Sequence, residues 1–442
     1  MMDSAVSADP EVQRQLDRLS RLAPVVDGLG LERISILLGR LGHPERSLPP
    51  VLHVAGTNGK GSTCAFLRAA IEAAGLTAHV YTSPHLVRFN ERIRLSGRLI
   101  DDPALAAYLG ETLDAAADME LSFFEATTAA AFLAFARTPA DALVLEVGLG
   151  GRLDATNVVE APLVCAIAQL GLDHAAFLGD RLEQIAAEKA GIAKARVPLV
   201  TQHYPARVAE QVARAAAAAD APWLPRGSRW DATLRSGRIH YVDARGELDL
   251  PAPRLPGAHQ ATNAALAVAM LRHQDVLAIP DSALKAAMGW TDWPARLQLL
   301  APGPLRSRLP AGAELWLDGA HNPSAARVVA DFFRGRLPPG RPFHIVLGLL
   351  SNRDVSGLLR PFRGRAIMLH PVPVPGHDHH SPEAFAAAAR EAGFSAMPAT
   401  GVEGALDWIG RHTDREHPPV VLILGSLYLA GDALRRNDQL PN

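Results

Sequence analysis

The sequence is poor in cysteine: Cys64 and Cys165 are the whole complement of a 442-residue chain. A disulfide-stapled secreted scaffold would carry more, so both thiols read as reduced and buried in a cytosolic protein. An excess of charge of either sign is also missing. The formal net charge is −2, which gives no global field for nucleic acid or a membrane surface, so any anionic ligand must be held by local groups. Long apolar runs are absent too. The longest, Ala129 to Ala136, falls far short of the roughly 20 residues that span a bilayer. The opening MMDSAVSADPEVQRQ has no apolar centre, and no signal peptide is expected there.

What is present describes a soluble, enzyme-like chain, 48% hydrophobic and 20% charged. Its length suggests more than one domain. Residues 11–42 read as two amphipathic helices, EVQRQLDRLSRLAPVV and GLERISILLGRLG. Then strands and helices alternate. VLHVAG is a strand and Gly61–Ala74 a helix ended by Gly75. TAHVYTS is a strand followed by an irregular loop, and Ser122–Ala136 is a helix. ALVLEVGLG and LVCAIAQL lack period-2 polarity, as strands buried on both faces do. A helix is expected over Arg181–Lys194, VPLVTQ continues the sheet, and an Ala-rich helix covers 208–221. This alternation predicts an α/β fold with a mostly parallel sheet. RIHYVDARGELDL predicts a small antiparallel hairpin, and HQATNAALAVAMLRH a helix returning to the α/β unit. GWTDWPARLQLLAPGP marks a linker near residues 290–305. A second, smaller α/β series follows: AELWLDGA, FHIVLGLL, RAIMLH and PVVLILGS. The tail RRNDQLPN is expected to fray.

The most informative stretch is VLHVAGTNGKGSTCAFL. A strand enters a glycine-rich turn and a helix leaves it. Gly56, Gly59 and Gly61 allow an anion nest of backbone N–H groups. The helix start favours phosphate, Lys60 adds a point charge, and Ser62 offers a hydroxyl to magnesium. The usual phosphate-loop pattern is not met, because Val54 stands at its first glycine and Gly61 separates Lys60 from Ser62. A tight turn with a solvated lysine is the competing reading.

Glu146 lies near the C-terminal end of a buried strand, where a carboxylate is costly unless paired or metal-bound. Such strand ends are also where open α/β sheets bind ligands. Magnesium is one reading and a salt bridge to Arg152 the other. The glycines at 148, 150 and 151 let backbone approach a ligand. Asp173 and His174 follow the next buried strand, although a histidine is an unusual ligand for a hard metal. Lys189 sits in an apolar helical stretch. Such a lysine can react with carbon dioxide, and the competing reading is a paired or solvated side chain. In LDGAHNPSAARVV, Asp318, His321 and Asn322 follow a strand, with helix capping by Asn322 as the alternative. The His-rich residues 376–380 of PGHDHH read as a solvated loop or a transition-metal site.

Together these residues carry a resemblance. VAGTNGKGST, SPHLVRFNERIRLSG, EVGLGGRLDATN, LDHAAFLGDRLEQIAAEKAGI, HQATNAALA, WPARLQ and LDGAHNP occur in the order seen in folylpolyglutamate synthases. More closely, the chain resembles the bifunctional dihydrofolate synthase/folylpolyglutamate synthases of the Mur ligase superfamily, from about Gly28 to Tyr428. That family's loop also places a Gly between Lys and Ser. The resemblance implies a large N-terminal P-loop ATPase domain, residues 1–295, and a smaller Rossmann-like C-terminal domain, residues 296–442, with the chemistry in the cleft between them. It implies ligation of L-glutamate to dihydropteroate or folates with ATP and Mg2+. By motif position, Thr57, Asn58, Gly59, Lys60, Gly61 and Ser62 hold ATP phosphates. Asn263 and Arg296 match further ATP contacts, and Asp318 a ribose or nucleotide contact. Ser83, Glu146 and His174 look like metal ligands, and Lys189 like the family's carbamylated lysine. Ser122, Phe123, Phe124 and Glu125, with Leu153, Asp154 and Ala155, resemble the pterin-site segments. His321 takes a general active-site role.

Competing functions are a folylpolyglutamate synthase without dihydropteroate activity, another Mur-type ligase, and a P-loop kinase or regulatory NTPase. Mur ligases acting on cell-wall nucleotides usually carry a further N-terminal domain, and only about 50 residues precede this loop. A cytoplasmic monomer with no nucleic-acid or membrane partner is expected.

Overall fold

The computed structural model describes residues 6–22, 30–338, 340–365, 367–414 and 416–441. The expected helices at the start appear as Pro10–Ser20 and Glu32–Arg40. The part of the first stretch at 23–26 lies outside the described residues. The chain divides into two compact units, one running to Arg254 and resuming over His259–Asp292, the other comprising Leu255–Ala258 and Trp293–Pro441.

The first unit is built on eight strands: β1 (Val51–Ala55), β2 (Ala78–Tyr81), β3 (Ile93–Leu95), β4 (Arg98–Leu99), β5 (Ala142–Glu146), β6 (Val164–Ile167), β7 (Leu199–Thr201) and β8 (Trp223–Pro225). They lie in the order β4-β3-β2-β5-β1-β6-β7-β8. All neighbours from β2 to β8 pair in parallel, and β3 and β4 add an antiparallel edge. Every residue of β1, β5 and β6 is buried, which explains why apolar residues dominate them, with His53 and Glu146 the polar exceptions. Helices Lys60–Ala73 and Phe123–Arg137 carry long buried faces against this sheet. β9 (Trp230–Arg235), β10 (Arg238–Asp243) and β11 (Gly246–Pro251) form a separate antiparallel sheet.

The second unit holds β12 (Gln298–Leu299), β13 (Glu314–Leu317), β14 (Phe343–Leu347), β15 (Ile367–Pro371), β16 (Ser395–Ala396) and β17 (Val420–Leu424). Their order is β12-β13-β17-β14-β15-β16, parallel except for β12.

Several local expectations are corrected. The irregular loop after β2 contains the β3–β4 hairpin and a full helix, Asp102–Ala115. That helix starts where the Asp101 carboxylate accepts the Ala104 amide at 2.8 Å, with proline in its first turn. The expected hairpin is a three-stranded sheet, because WDATLR pairs with β10. The supposed linker contributes β12 to the second sheet. The helix over Arg181–Lys194 is shorter, Leu182–Ala190. The C-terminal tail is anchored rather than frayed. Asn437 is buried, and its amide accepts Leu305 N at 3.0 Å and donates to Ala301 O at 3.1 Å.

Candidate active site

β1 delivers the chain into the glycine turn, and the helix Lys60–Ala73 carries it away. The turn is held from outside: the amides of Thr57 and Asn58 both donate to Gln169 O, at 2.9 and 3.0 Å, and Thr57 Oγ1 donates to Gly171 O at 3.0 Å. Those two amides are therefore occupied by the protein itself. The anion-binding capacity rests with the first helical turn, residues 60–62, whose N–H groups have no partner within the helix. Gly59 is needed for two reasons. Its φ is +87°, and a Cβ there would lie 2.4 Å from Asn263 Oδ1. Asn263 thus seats directly on the turn, and its Nδ2 donates to Gln260 Oε1 at 3.0 Å.

Lys60 folds back over the turn, with Nζ 3.2 Å from Gly56 O. The same ammonium stands 3.9 Å from Glu146 Oε1. Glu146 ends β5 beside β1 and is buried. Its other oxygen faces the Ser83 amide at 3.4 Å. The proposed bridge to Arg152 is not seen; Arg152 instead pairs with Glu188 at 2.8 Å.

The chemistry of these donors fits magnesium. Glu146 supplies a buried carboxylate and Ser83 a hydroxyl, both hard oxygen donors. Among the described residues no His, Cys, Asp or Glu group of three or more forms a ready metal cluster. Magnesium does not require one, since it is usually held by one or two carboxylates plus substrate phosphates and water. His174 lies after β6 in the left-handed region, φ +53°, and its Nε2 is 3.8 Å from Asp173 Oδ1. Its nitrogen suits magnesium less well than the oxygens do.

Lys189, on the helix Leu182–Ala190, is 4% exposed. Burial lowers its pKa to about 7, the Lys60 charge pushes it the same way, and Asp173 and Asp154 partly oppose both. Gly151 permits this packing, because a Cβ there would meet the Glu188 and Lys189 carbonyl oxygens at 2.8 Å. The room left by that glycine is filled by the lysine's own helix.

Ser122 and Glu125 form a reciprocal helix cap. Ser122 Oγ accepts the Glu125 amide at 3.2 Å, and Glu125 Oε2 accepts the Ser122 amide at 2.8 Å. Arg33 reaches Glu125 Oε1 at 3.2 Å. Phe124 lies 6.0 Å from the Tyr81 ring, and Phe123 is beneath the Arg92 guanidinium at 5.5 Å. Leu153 is partly exposed, whereas Asp154 and Ala155 are buried.

In the second unit, Asp318 follows β13. Its two oxygens accept Leu297 N and Ala320 N, each at 2.8 Å. Burial raises its pKa, against the pull of Arg296. Arg296 Nη1 donates to Ala295 O at 3.1 Å. The ring nitrogen Nδ1 of His321 donates to Gly319 O at 2.9 Å. Asn322 caps the next helix through Ala325 N at 2.9 Å, so the capping reading holds for it.

With this geometry in place, comparison with known proteins is decisive. Residues 54–271 match the Mur ligase middle domain. The dihydrofolate synthase/folylpolyglutamate synthase of Escherichia coli K12 is 36% identical over 345 residues, covering 78% of this chain and 77% of the relative. The chain belongs to the dihydrofolate synthase/folylpolyglutamate synthase family. The structure of E. coli FolC in complex with DHPP and ADP superposes with a TM-score of 0.86 at 31% identity, covering 98% of this chain and 99% of that one. A bifunctional folylpolyglutamate synthase/dihydrofolate synthase with Mn, AMPPNP and L-glutamate bound superposes with a TM-score of 0.84 at 31% identity, with the same coverage. The α/β architecture expected from the sequence, a large mostly parallel sheet, a small antiparallel sheet and a second α/β unit, is that of this family.

Within this family member, the first unit brings together the turn at 57–62, Asn263, Ser83 and Glu146, and places the charges of Lys60, Asp154 and Asp173 on Lys189. The second unit groups Arg296, Asp318 and His321 around residues 295–320. The PGHDHH loop is used structurally. His380 contacts Arg353 O at 2.9 Å, His379 contacts His377 O at 2.7 Å, and His377 stacks on Tyr428. Two contributors escaped the sequence reading. Gln260 stands one turn before Asn263 in HQATN, a spacing that itself predicts a side-chain pair. Gln169 acts through its backbone carbonyl, which no side-chain motif reveals.

Proposed function

We propose that the protein is a cytoplasmic, monomeric ATP-dependent ligase that joins L-glutamate to dihydropteroate and to reduced folates. The observation that carries this reading is the turn at 56–62, with Lys60 folded over it and set against buried Glu146. The DHPP, nucleotide and glutamate complexes of its relatives support the substrate assignment. No helix among the described residues is long and apolar enough to cross a membrane, and both cysteines are free and buried. These two features support the cytoplasmic assignment, and the small net charge supports small-molecule partners rather than nucleic acid or membrane.

A carboxylate is a poor acyl donor at neutral pH. Transfer of the terminal phosphoryl group of ATP to it gives an acyl phosphate. The glutamate amine then attacks the acyl carbon, the C–N bond forms, and inorganic phosphate leaves with the proton lost from nitrogen. Lys60 and the first-turn amides at 60–62 hold phosphate oxygens and stabilise charge on the transferring group. Asn263 fixes the turn from behind. Glu146 and Ser83, with His174 beside them in our assignment, would hold magnesium, which supplies positive charge at the phosphates. Lys189, carbamylated, would present an oxygen anion to that metal. The segments Ser122–Glu125 and Leu153–Ala155 take the pterin. Residues 1–295 constitute the ATP-binding domain, and residues 296–442 contribute Arg296, Asp318 and His321 toward nucleotide.

The deciding experiment measures glutamate-dependent phosphate release with dihydropteroate and with tetrahydrofolate in parallel. Activity with both is expected. Activity with tetrahydrofolate alone would make the protein a monofunctional folylpolyglutamate synthase, and glutamate-independent ATP cleavage would overturn the ligase assignment.

A further inference from the structure

His53 sits in the middle of β1, beside the catalytic turn but pointing to no assigned ligand. It is fully buried. Its Nε2 lies 2.9 Å from Thr156 Oγ1. Thr156 is fully buried as well, and its hydroxyl is bonded to Asp154 Oδ1. The same Asp154 oxygen accepts the Thr156 amide at 3.0 Å, and Oδ2 accepts the Leu149 amide at 2.8 Å. A continuous buried chain therefore runs from the central strand to the carboxylate in the segment Leu153–Ala155.

Proton counting gives this chain a direction. Burial, with a further push from Lys194, holds the His53 pKa down at about 3, so the ring is neutral. A neutral imidazole carries one N–H, and the threonine hydroxyl has one proton. If Thr156 donates to an anionic Asp154, His53 must carry its proton on Nε2 and donate to Thr156. The reverse order needs a protonated Asp154 and a proton on His53 Nδ1. That nitrogen is buried without a partner. A buried orphan N–H is rarer and costlier than a buried unused acceptor, so the first order prevails.

A carboxylate offers about four acceptor sites. In Asp154 the Thr156 amide and hydroxyl and the Leu149 amide take three of them. One site on Oδ2 remains for an incoming N–H donor. We infer that His53 and Thr156 are positioning residues that act through Asp154: they hold its carboxylate as an oriented anion whose remaining acceptor site recognises an N–H on the pterin edge of the substrate. This rests on the assignment of Leu153–Ala155 to the pterin. The anchor is rigid, because Asn157 ties the same loop to Arg152 O and Gly191 O at 3.0 and 3.1 Å.

The test compares Thr156→Val, Thr156→Ser, His53→Leu and His53→Gln in the full-length enzyme. Thr156→Val and His53→Leu should raise KM for dihydropteroate about 10-fold, the cost of weakening one hydrogen bond to a charged group, with KM for ATP unchanged. Thr156→Ser and His53→Gln, which keep a hydroxyl and an N–H donor, should restore it. Burial raises the Asp154 pKa and the Leu149 and Thr156 donors pull it back; loss of the hydroxyl donor leaves burial less opposed, so in Thr156→Val the acid-side rise in dihydropteroate KM should begin at a higher pH than in the wild type. Folded Val and Leu variants with unaltered dihydropteroate KM would overturn the inference. A second measurement needs no variant. Nitrogen-15 chemical shifts of the histidines in the wild-type protein should show His53 as the Nε2–H tautomer, and an Nδ1–H tautomer would overturn the relay. Wild-type protein that ligates no dihydropteroate would instead refute the function assigned above, while the tautomer result would still decide the relay.

Discussion

Lys60 Nζ stands 3.9 Å from Glu146 Oε1, with both side chains largely withdrawn from water. The pair joins the two strongest signals in the sequence, the glycine turn after β1 and the carboxylate at the end of β5. Adjacent parallel strands bring them together, since Val54 pairs in register with Glu146. Lys60→Ala should reduce glutamate-dependent phosphate release by about 10²- to 10³-fold, the scale for removing one group that stabilises transition-state charge. The fold should survive, because the ammonium's other contact is a single carbonyl, Gly56 O. Turnover near wild type in a protein of unchanged melting temperature would refute the phosphate-loop assignment.

Glu146→Gln keeps the shape of the side chain and removes its charge. The magnesium concentration needed for half-maximal activity should rise strongly, or turnover should vanish. His174→Gln should have the smaller effect of the two, because nitrogen is the weaker donor for this metal and its side chain is the more exposed. A magnesium titration of both variants checks this; equal, wild-type dependence in each would remove both residues from the metal site.

Asn437 closes the second unit. Asn437→Ala would leave the buried Leu305 amide without the acceptor it has at 3.0 Å, a loss of about 1–3 kcal/mol. Denaturant unfolding should register it, while KM for ATP stays constant. A stability change under about 0.5 kcal/mol, the range of an ordinary surface substitution, would show the tail to be dispensable.

The legibility of the sequence followed burial. β1, β5, β6, β14 and β17 are doubly covered, and their apolar runs announce them. Strands half-open to solvent were harder to read. β3–β4 and β9–β10 turn through Ser96-Gly97 and Ser236-Gly237, all four with positive φ, as tight hairpins demand. The two Ser-Gly pairs were the available signal. Asp101 followed by proline in the first turn likewise marked the helix Asp102–Ala115. The grouping of Lys60 with Glu146 was legible in part, because a carboxylate buried at a strand end is costly unless paired, and the structure sets the Lys60 ammonium against it. Gln169 was not readable, because it acts through a main-chain oxygen. His53 and Thr156 were not readable either: in sequence they are one polar residue in a strand and one in a turn, and only the fold joins them across 103 positions.

The remaining prediction concerns Lys189, one of only four lysines in the chain. Its pKa is lowered from 10.5 to about 7, chiefly by burial. In buffer free of carbon dioxide the unfolded chain therefore holds a proton that the native state lacks between about pH 7 and pH 10.5. Stability contributed by this group must rise with pH across that window, and Lys189→Met should flatten the rise. The same shift leaves a neutral amine available above about pH 7. That amine can attack carbon dioxide: an N–C bond forms, one proton leaves, and a carbamate anion replaces the neutral amine, in a position where the Lys60 charge disfavours a cation. Carbon-13 bicarbonate should then give a carbamate resonance in the wild-type protein that is absent from Lys189→Ala. Lys189→Arg keeps a positive charge without an amine of this kind and should be as inactive as Lys189→Ala, whereas short carboxylic acids should partly restore Lys189→Ala. Full activity in Lys189→Arg would mean that a plain cation suffices at this position, and a fully active, bicarbonate-equilibrated enzyme with no carbamate resonance would exclude the modification.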